Sequence, residues 1–173
     1  MNHTISNDKL TVVFNTMSGT FSSIKNAAGR EYLWQGDKEF WNGQAPICFP
    51  ICGSLRNDTA RTIEGKTISL PRHGFIRKRE FEMVEKTDTS IVFRFVPQGE
   101  DKDKYPYEYS FESVYSLDGN KINITYRINN LGDVKIPYTM GGHTGFKCPL
   151  DEGEEYSDYV VEFDHEEQDS VPT

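Results

Sequence analysis

Apolar and polar residues alternate with a period of two along most of this chain, and this pattern constrains the fold more than any other feature. Ile91, Phe93 and Phe95 share one face of such a segment, while Arg94 lies on the other. Successive side chains of a β-strand point to opposite faces, so alternation predicts strands with one buried face. No stretch of ten or more residues has a convincing helical period. We therefore predict an all-β fold, either an antiparallel β-sandwich or a barrel.

The clearest signal comes from two long strands and the turn between them. Residues 107–117 and 122–128 alternate strongly, and Asp118-Gly119-Asn120 lies between the two segments. Gly and Asn tolerate positive φ, so this tripeptide predicts a hairpin turn. Further strands are predicted at residues 10–14, 21–25, 31–34, 62–68 (a small hairpin), 80–86, 89–96 and 159–163.

Two segments break the strand pattern. Residues 35–57 form a long, turn-rich stretch with aromatic residues such as Trp41. A long irregular segment inside a compact domain is often functional. Residues 97–106, PQGEDKDKYP, are dense in charge, and their simplest interpretation is a solvated loop.

Length and charge limit the class of protein and its partners. The chain has 173 residues, a length that suits a single domain over residues 1–173. Its net charge is -8 and it has no basic stripe, so nucleic acid and anionic membranes are not expected as partners. Its apolar runs are too short to span a bilayer. The polar N-terminus lacks the features of a signal peptide. The odd number of cysteines (Cys48, Cys52 and Cys148) favours reduced thiols, so we expect a cytoplasmic protein.

Two of the four histidines stand out as candidate functional residues. His73 and His143 are each followed closely by a glycine and an aromatic residue, and each adjoins predicted strands. Histidine exchanges a proton near neutral pH, so the pair could flank one polar substrate. A surface or hydrogen-bonded structural role is the alternative. Arg56 lies in a glycine-containing loop, and its guanidinium could donate paired hydrogen bonds to two hydroxyls or to a carboxylate. Alternatively, it could stabilise the loop through a salt bridge.

No metal or cofactor site is predicted. The cysteines do not pair with the histidines at a metal-ligand spacing, and Cys48 and Cys52 are interpreted as buried apolar positions beside Pro50. The chain has no P-loop, no dinucleotide-binding fingerprint and no nucleophile elbow.

Three segments together resemble the aldose 1-epimerase (galactose mutarotase) superfamily, in its LacX-like branch. They are FPICGSLRND (residues 49–58), LPRHGFIRKREF (residues 70–81) and PYTMGGHTGFKCPL (residues 137–150), in the order found in the family. The resemblance implies a large antiparallel β-sandwich, the galactose mutarotase-like supersandwich. This chain would be its N-terminal part.

The same resemblance implies roles for individual residues. His143 would be the general acid at the sugar ring oxygen, and His73 the second active-site histidine, near that oxygen and the anomeric carbon. Arg56, with its neighbour Asn57, would bind sugar hydroxyls. The partner would be an aldose such as galactose or glucose, and neither metal nor nucleotide would be needed.

The sequence does not indicate which aldose is the substrate. Family members accept galactose, glucose or phosphorylated hexoses, and a phosphate would call for extra basic residues. Arg72, Arg77 and Arg79 cluster near His73. Strand-edge solubility is the simpler interpretation of that cluster.

The chain departs from the family pattern at the residue that acts as the general base. In the family a glutamate close to the C-terminus is the general base, and neither it nor the family's acidic substrate-binding residue has a counterpart here. We therefore expect an incomplete sandwich, whose exposed edges favour self-association. Two functions stay open: a mutarotase-like enzyme that interconverts α and β anomers by ring opening, and a non-catalytic carbohydrate-binding or regulatory module of the same fold.

Overall fold

A computed structural model describes residues 1–166 and Gln168. Its strands are β1 (Asn2–Ser6), β2 (Leu10–Asn15), β3 (Thr20–Asn26), β4 (Ile47–Cys48), β5 (Thr59–Arg61), β6 (Thr67–Ser69), β7 (Glu82–Lys86), β8 (Ser90–Phe95), β9 (Tyr109–Asp118), β10 (Lys121–Asn130) and β11 (Gly141–Gly142). One short helix, α1, covers Glu100–Lys104, and 3-10 turns lie at Arg56–Asp58, Ile76–Lys78 and Tyr156–Asp158. The prediction of an all-β fold is confirmed.

The strands form two larger and two smaller antiparallel sheets. One larger sheet has the order β1-β2-β3, and the other the order β10-β9-β8-β7. The smaller sheets pair β11 with β4 and β5 with β6. In both larger sheets consecutive strands are neighbours, so each is a meander. The connections are short turns except between β8 and β9, where the chain forms α1.

The predicted hairpin between the two longest strands is confirmed. Asp118 at the end of β9 pairs with Lys121 at the start of β10, which leaves Gly119 and Asn120 as a two-residue turn. Gly119 has a φ of 57°. β10 is the outer strand of its sheet, and its Ile124 side chain remains 43% exposed.

A cluster of buried aromatic rings joins the two larger sheets into one core. Phe14 of β2 packs against Tyr115 of β9, with ring centroids 4.7 Å apart, and against Phe93 of β8 at 5.8 Å. Phe21 of β3 meets Tyr115 edge-on at 4.9 Å. Each of these rings is buried, and each burial stabilises the fold by about 1.5–3 kcal/mol.

Three sequence predictions do not hold in the structure. Residues 159–163 form no strand, because no strand lies beside them in the described part of the chain, and Val160 and Val161 are more than 80% exposed. Residues 31–34 make only isolated bridges, from Glu31 to Lys25 and from Leu33 to Phe146. The 97–106 segment is not simply solvated, since it contains α1 and a buried Asp101.

Arg79 explains why Asp101 is buried. The Nε atom of Arg79 donates to Asp101 Oδ2 at 2.8 Å, and its Nη2 atom donates to Oδ1 at 2.6 Å. This forked geometry satisfies both carboxylate oxygens, so the charge can be buried. The pair fixes the charged segment against the chain that leads into β7.

In residues 1–166 and Gln168, every helix is too short and too polar to cross a membrane.

Candidate active site

His73 lies on a turn whose backbone is left-handed at two successive residues. The φ angles are 65° at His73 and 68° at Gly74, a region that histidine seldom occupies. Gly74 lies directly against Phe49, and a Cβ atom there would be 2.0 Å from the Phe49 carbonyl oxygen. Phe75 N–H also donates to that oxygen, at 3.2 Å. Only glycine fits at position 74, so the sequence His-Gly-Phe holds His73 in this orientation.

His73 and Gly53 exchange two hydrogen bonds. The His73 backbone N–H donates to the Gly53 carbonyl at 2.7 Å, and the Gly53 N–H donates to His73 Nδ1 at 3.0 Å. Arg72 Nε also lies 3.2 Å from His73 Nε2, but a neutral imidazole can accept at only one nitrogen. The backbone N–H of Gly53 is fixed and can only donate, so Nδ1 is unprotonated and the neutral ring carries its proton on Nε2. The partial burial of His73 and the nearby charges of Arg72, Arg77 and His143 lower its pKa below the usual value. His73 therefore presents an N–H donor.

His143 follows β11 and lies near His73, although the two residues are far apart in the sequence. Gly141 pairs with Cys48 of β4, and the His143 N–H donates to the Pro46 carbonyl at 3.1 Å. A Cβ at Gly141 would lie 2.8 Å from the sulfur of Cys52, so the glycine allows this close approach. The turn therefore presents His143 beside β4.

The two histidines line one pocket. Their ring centroids are 6.1 Å apart at an angle of 62°. The cavity has a volume of about 400 Å³, within the range of small-ligand sites. Its walls are Trp41, Pro46, Cys48, Arg72, His73, Arg77 and His143. The sequence placed both histidines at a candidate site, and the structure brings them together.

The structure does not bring Arg56 and Asn57 into this pocket. Both lie on the exposed 3-10 turn Arg56–Asp58, and neither is among the residues that line the cavity. Asn57 has a φ of 55°, as a turn residue often does. Their role in sugar binding stays a prediction from the resemblance.

The sequence did not assign Trp41, Arg72 or Arg77 to the pocket that they line. Trp41 comes from the irregular 35–57 segment, and its ring lies 5.1 Å from the ring of His143. Arg72 and Arg77 flank His73 in the sequence, but neither is on a strand edge: Arg72 is in the loop before His73, and Arg77 is in the 3-10 turn Ile76–Lys78. The basic cluster in LPRHGFIRKREF was the available signal, and only the fold shows which arginines face the pocket.

A group of possible metal ligands also meets beside the pocket. Ligand atoms of Cys48, Cys52 and His73 lie within 4.8 Å of one another, a proximity that sequence spacing did not reveal. Cys52 is exposed, contrary to prediction, whereas burial raises the pKa of the Cys48 thiol to about 11. All three cysteines are free thiols. The Gly53 N–H already occupies His73 Nδ1, and Arg72 and Arg77 add positive charge, so the residues present fit a metal cation poorly.

The chain is similar to several known proteins over nearly its whole length. Residues 1–172 match the aldose 1-epimerase family. The chain is 47% identical to the plasmid-encoded protein LacX of Lactococcus lactis subsp. lactis, in an alignment that covers 97% of this chain and 58% of LacX.

Two solved structures share its fold. The galactose mutarotase related enzyme from Lactobacillus acidophilus has a TM-score of 0.85 and 36% identity, and the match covers 90% of this chain and 52% of that enzyme. A galactose mutarotase-like protein from Lactobacillus casei ATCC 334 has a TM-score of 0.82 and 31% identity, with 88% and 52% coverage. The chain spans about half the length of these relatives.

Proposed function

The chain belongs to the aldose 1-epimerase family, and on this premise we propose that its histidine pocket binds an aldose and takes part in converting one anomer into the other. The observation that carries the proposal is the meeting of His73 and His143 at one cavity of about 400 Å³. Ring opening requires an acid and a base at one polar site, and a histidine at this pocket can supply the acid.

The proposed reaction breaks one bond and re-forms it. A base removes the proton of the C1 hydroxyl while an acid protonates the ring oxygen, and the bond between C1 and that oxygen breaks to give the open-chain aldehyde. Rotation about the C1–C2 bond presents the other face of the aldehyde. Closure of the ring then returns both protons, so the reaction has no net consumption of acid or base.

His143 is the better candidate for the acid at the ring oxygen. His73 accepts the Gly53 N–H at Nδ1, and its lowered pKa favours the neutral ring. A neutral His73 with its proton on Nε2 donates a hydrogen bond to a sugar oxygen but is a poor carrier of a second proton. This division of roles leaves proton delivery to His143.

Other residues of the site suit a sugar. Trp41 lines the pocket with an apolar ring against which the C–H face of a sugar can pack. The resemblance implies contacts from Arg56 and Asn57 to sugar hydroxyls. Because both lie outside the pocket lining, Arg72 is the better candidate for such a contact.

One observation favours a second candidate function, a non-catalytic carbohydrate-binding module. The reaction needs a base, and no carboxylate lines this pocket within the described residues. A module of this kind would bind the sugar through the same histidines and Trp41 without changing its anomer.

Polarimetry of freshly dissolved α-glucose or α-galactose separates the two candidates. An enzyme accelerates the change in optical rotation above the spontaneous rate, and His143→Ala lowers the acceleration by about 100-fold or more. The exposed His165 offers a matched control, since His165→Ala leaves the rate unchanged. Sugar binding without acceleration supports the module, and the absence of both contradicts both candidates.

A further inference from the structure

We propose that Cys48 and Cys52 form a reversible disulfide, and that this disulfide controls the hydrogen bond between Gly53 and His73 beside the pocket. The two thiols are a modification site for an oxidant of the peroxide class, independent of the binding of any sugar. Three observations support this inference: the proximity of the two sulfurs, their unequal exposure to solvent and the position of Cys52 next to Gly53.

The two sulfur atoms are already close to each other. The sulfurs of Cys48 and Cys52 lie within 4.8 Å, and both thiols are free. A disulfide has an S–S bond of about 2.05 Å, so the two sulfurs must approach each other by less than about 3 Å. Cys48 is held in β4, whereas Cys52 lies in an exposed bend outside any strand. Cys52 can therefore supply most of the movement.

Gly141 makes room for the sulfur of Cys52 beside β4. Gly141 is the register partner of Cys48 between β11 and β4. A Cβ atom at Gly141 would lie 2.8 Å from the sulfur of Cys52, which is closer than carbon and sulfur can pack. The missing side chain therefore lets Cys52 approach the strand pair that contains Cys48. The third cysteine, Cys148, is exposed and does not belong to this group.

The unequal exposure of the two thiols gives the oxidation an order. Cys52 is exposed and Cys48 is buried, so a peroxide reaches Cys52 first. Hydrogen peroxide converts the Cys52 thiol into a sulfenic acid and releases one water. The Cys48 sulfur then attacks the Cys52 sulfur, and the leaving hydroxide takes the Cys48 proton to form a second water.

The electrons and atoms of this sequence balance. The two thiols lose two electrons and two protons, and one hydrogen peroxide is reduced to two waters. Burial protects Cys48 from direct oxidation, and its proximity to Cys52 compensates for the low reactivity of a buried thiol. An external dithiol reverses the reaction by exchange and is itself oxidised to a disulfide.

Formation of the disulfide would move the hydrogen-bond donor of His73. The Cys52 N–H donates to Thr139 Oγ1 at 2.9 Å, and the next N–H along the chain, that of Gly53, donates to His73 Nδ1 at 3.0 Å. A shift of Cys52 toward β4 also shifts the peptide group that carries the Gly53 N–H. A Cβ atom at Gly53 would meet nothing within 4 Å, so the loop has space in which to move. The oxidised protein then no longer fixes His73 Nδ1 as an acceptor, and the redox state of the thiols acts on the pocket.

Oxidation of the wild-type chain with hydrogen peroxide, followed by a count of free thiols, tests the disulfide. We expect the count to fall from three to one, and dithiothreitol to restore all three thiols. Trypsin cleaves after Lys38 and Arg56, so both cysteines fall in one peptide, residues 39–56. Mass spectrometry should show that this peptide loses two hydrogen atoms on oxidation.

Nitrogen-15 NMR of the same samples tests the effect on the pocket. The resonances of the Gly53 amide and of His73 Nδ1 should shift on oxidation and return on reduction, because the hydrogen bond between them changes. Two variants identify the thiols involved. Cys148→Ser removes the other exposed cysteine and should keep the full response, whereas Cys52→Ser should remove it. Circular dichroism checks the fold of each variant.

Three outcomes overturn the inference. The first is a peptide that gains oxygen at Cys52 without losing two hydrogen atoms, which means that Cys48 does not reach the sulfenic acid. The second is a disulfide between two molecules, seen as a dimer on a non-reducing gel. The third is a disulfide between Cys48 and Cys52 that leaves the His73 resonances unchanged, which removes the effect on the pocket. None of these measurements uses a sugar, so a failure here leaves the proposed function intact.

Discussion

The backbone N–H of Gly53 donates to Nδ1 of His73 at 3.0 Å, so the loop that contains Gly53 determines which nitrogen of the histidine carries the proton. A proton cannot be added at Nδ1 without breaking this hydrogen bond. The protonation of His73 is therefore coupled to the position of the loop, while its Nε2–H stays directed at the pocket.

The tautomer and pKa of His73 can be measured directly by nitrogen-15 NMR. At neutral pH we expect the Nε2–H tautomer and a pKa below about 6.5, because partial burial and the charges of Arg72, Arg77 and His143 all disfavour the imidazolium. Arg72→Gln or Arg77→Gln should raise the pKa toward its ordinary value, whereas Arg61→Gln should not. A proton on Nδ1, or a pKa at or above the ordinary value, would contradict the geometry.

The same lowered pKa predicts a dependence of stability on pH. In the unfolded chain His73 binds a proton near pH 6.5, while in the folded protein it does so only at lower pH. Between these values the unfolded state binds more protons, so the free energy of unfolding falls as the pH is lowered below about 6.5. Urea midpoints measured from neutral to mildly acidic pH should fall less for His73→Gln than for the wild type. Identical pH profiles for the two proteins would rule out this linkage.

Much of the fold could be predicted because it follows from local patterns. The alternation in residues 107–117 and 122–128 and the Asp118-Gly119-Asn120 turn required no tertiary information. The failed strand at residues 159–163 shows the limit of this reasoning. Val160 and Val161 favour extended backbone, but a strand also needs a neighbour with which to exchange hydrogen bonds, and alternation does not reveal the neighbour.

The site was predictable only in part, for a related reason. His73 and His143 stand beside glycines that mark special backbone, so the sequence indicated both positions. The presence of Arg77 at the pocket depends on the 3-10 turn Ile76–Lys78, and the approach of Cys52 to His73 depends on how β4 continues into the Gly53 loop. Such contacts are set by packing between distant segments, which no local spacing encodes.

Gly74→Ala should remove the site by displacing the His73 turn. The new Cβ would lie 2.0 Å from the Phe49 carbonyl oxygen, at a φ of 68° that alanine disfavours. We expect a loss of stability of at least about 2 kcal/mol, from steric overlap and backbone strain together, and loss of sugar binding.

Gly29→Ala is the matched control for this change. Gly29 has a φ of 82°, but a Cβ there meets nothing within 4 Å, so only the backbone term of about 1 kcal/mol applies. Urea denaturation and isothermal titration measure both effects. Equal losses in the two variants would show that the contact with Phe49 does not constrain the turn.

Gly19 offers a test of how hydrogen bonds are shared in the core. Its carbonyl accepts from Ser113 Oγ at 2.8 Å and from Tyr115 OH at 2.9 Å, both buried. Tyr115→Phe or Ser113→Ala leaves one donor in place, so each should cost about 1 kcal/mol. The double variant leaves the carbonyl without either donor and should cost more than the sum of the two single changes. Strict additivity in urea denaturation would contradict the shared acceptor.

The ion pair between Arg79 and Asp101 should stabilise the charged 97–106 segment. Asp101 is 5% exposed and accepts three hydrogen bonds from Arg79. Asp101→Asn removes the negative charge but keeps the shape, and we expect it to cost about 2 kcal/mol, since Arg79 is left without its counter-charge. The exposed pair of Lys104 with Glu100 is the control, and Glu100→Gln should have almost no effect because solvent screens that pair. Thermal denaturation at low and high salt distinguishes the two ion pairs, because salt should weaken the buried pair much less than the exposed one. An Asp101→Asn protein as stable as the wild type would mean that burial of the carboxylate offsets the whole gain from pairing.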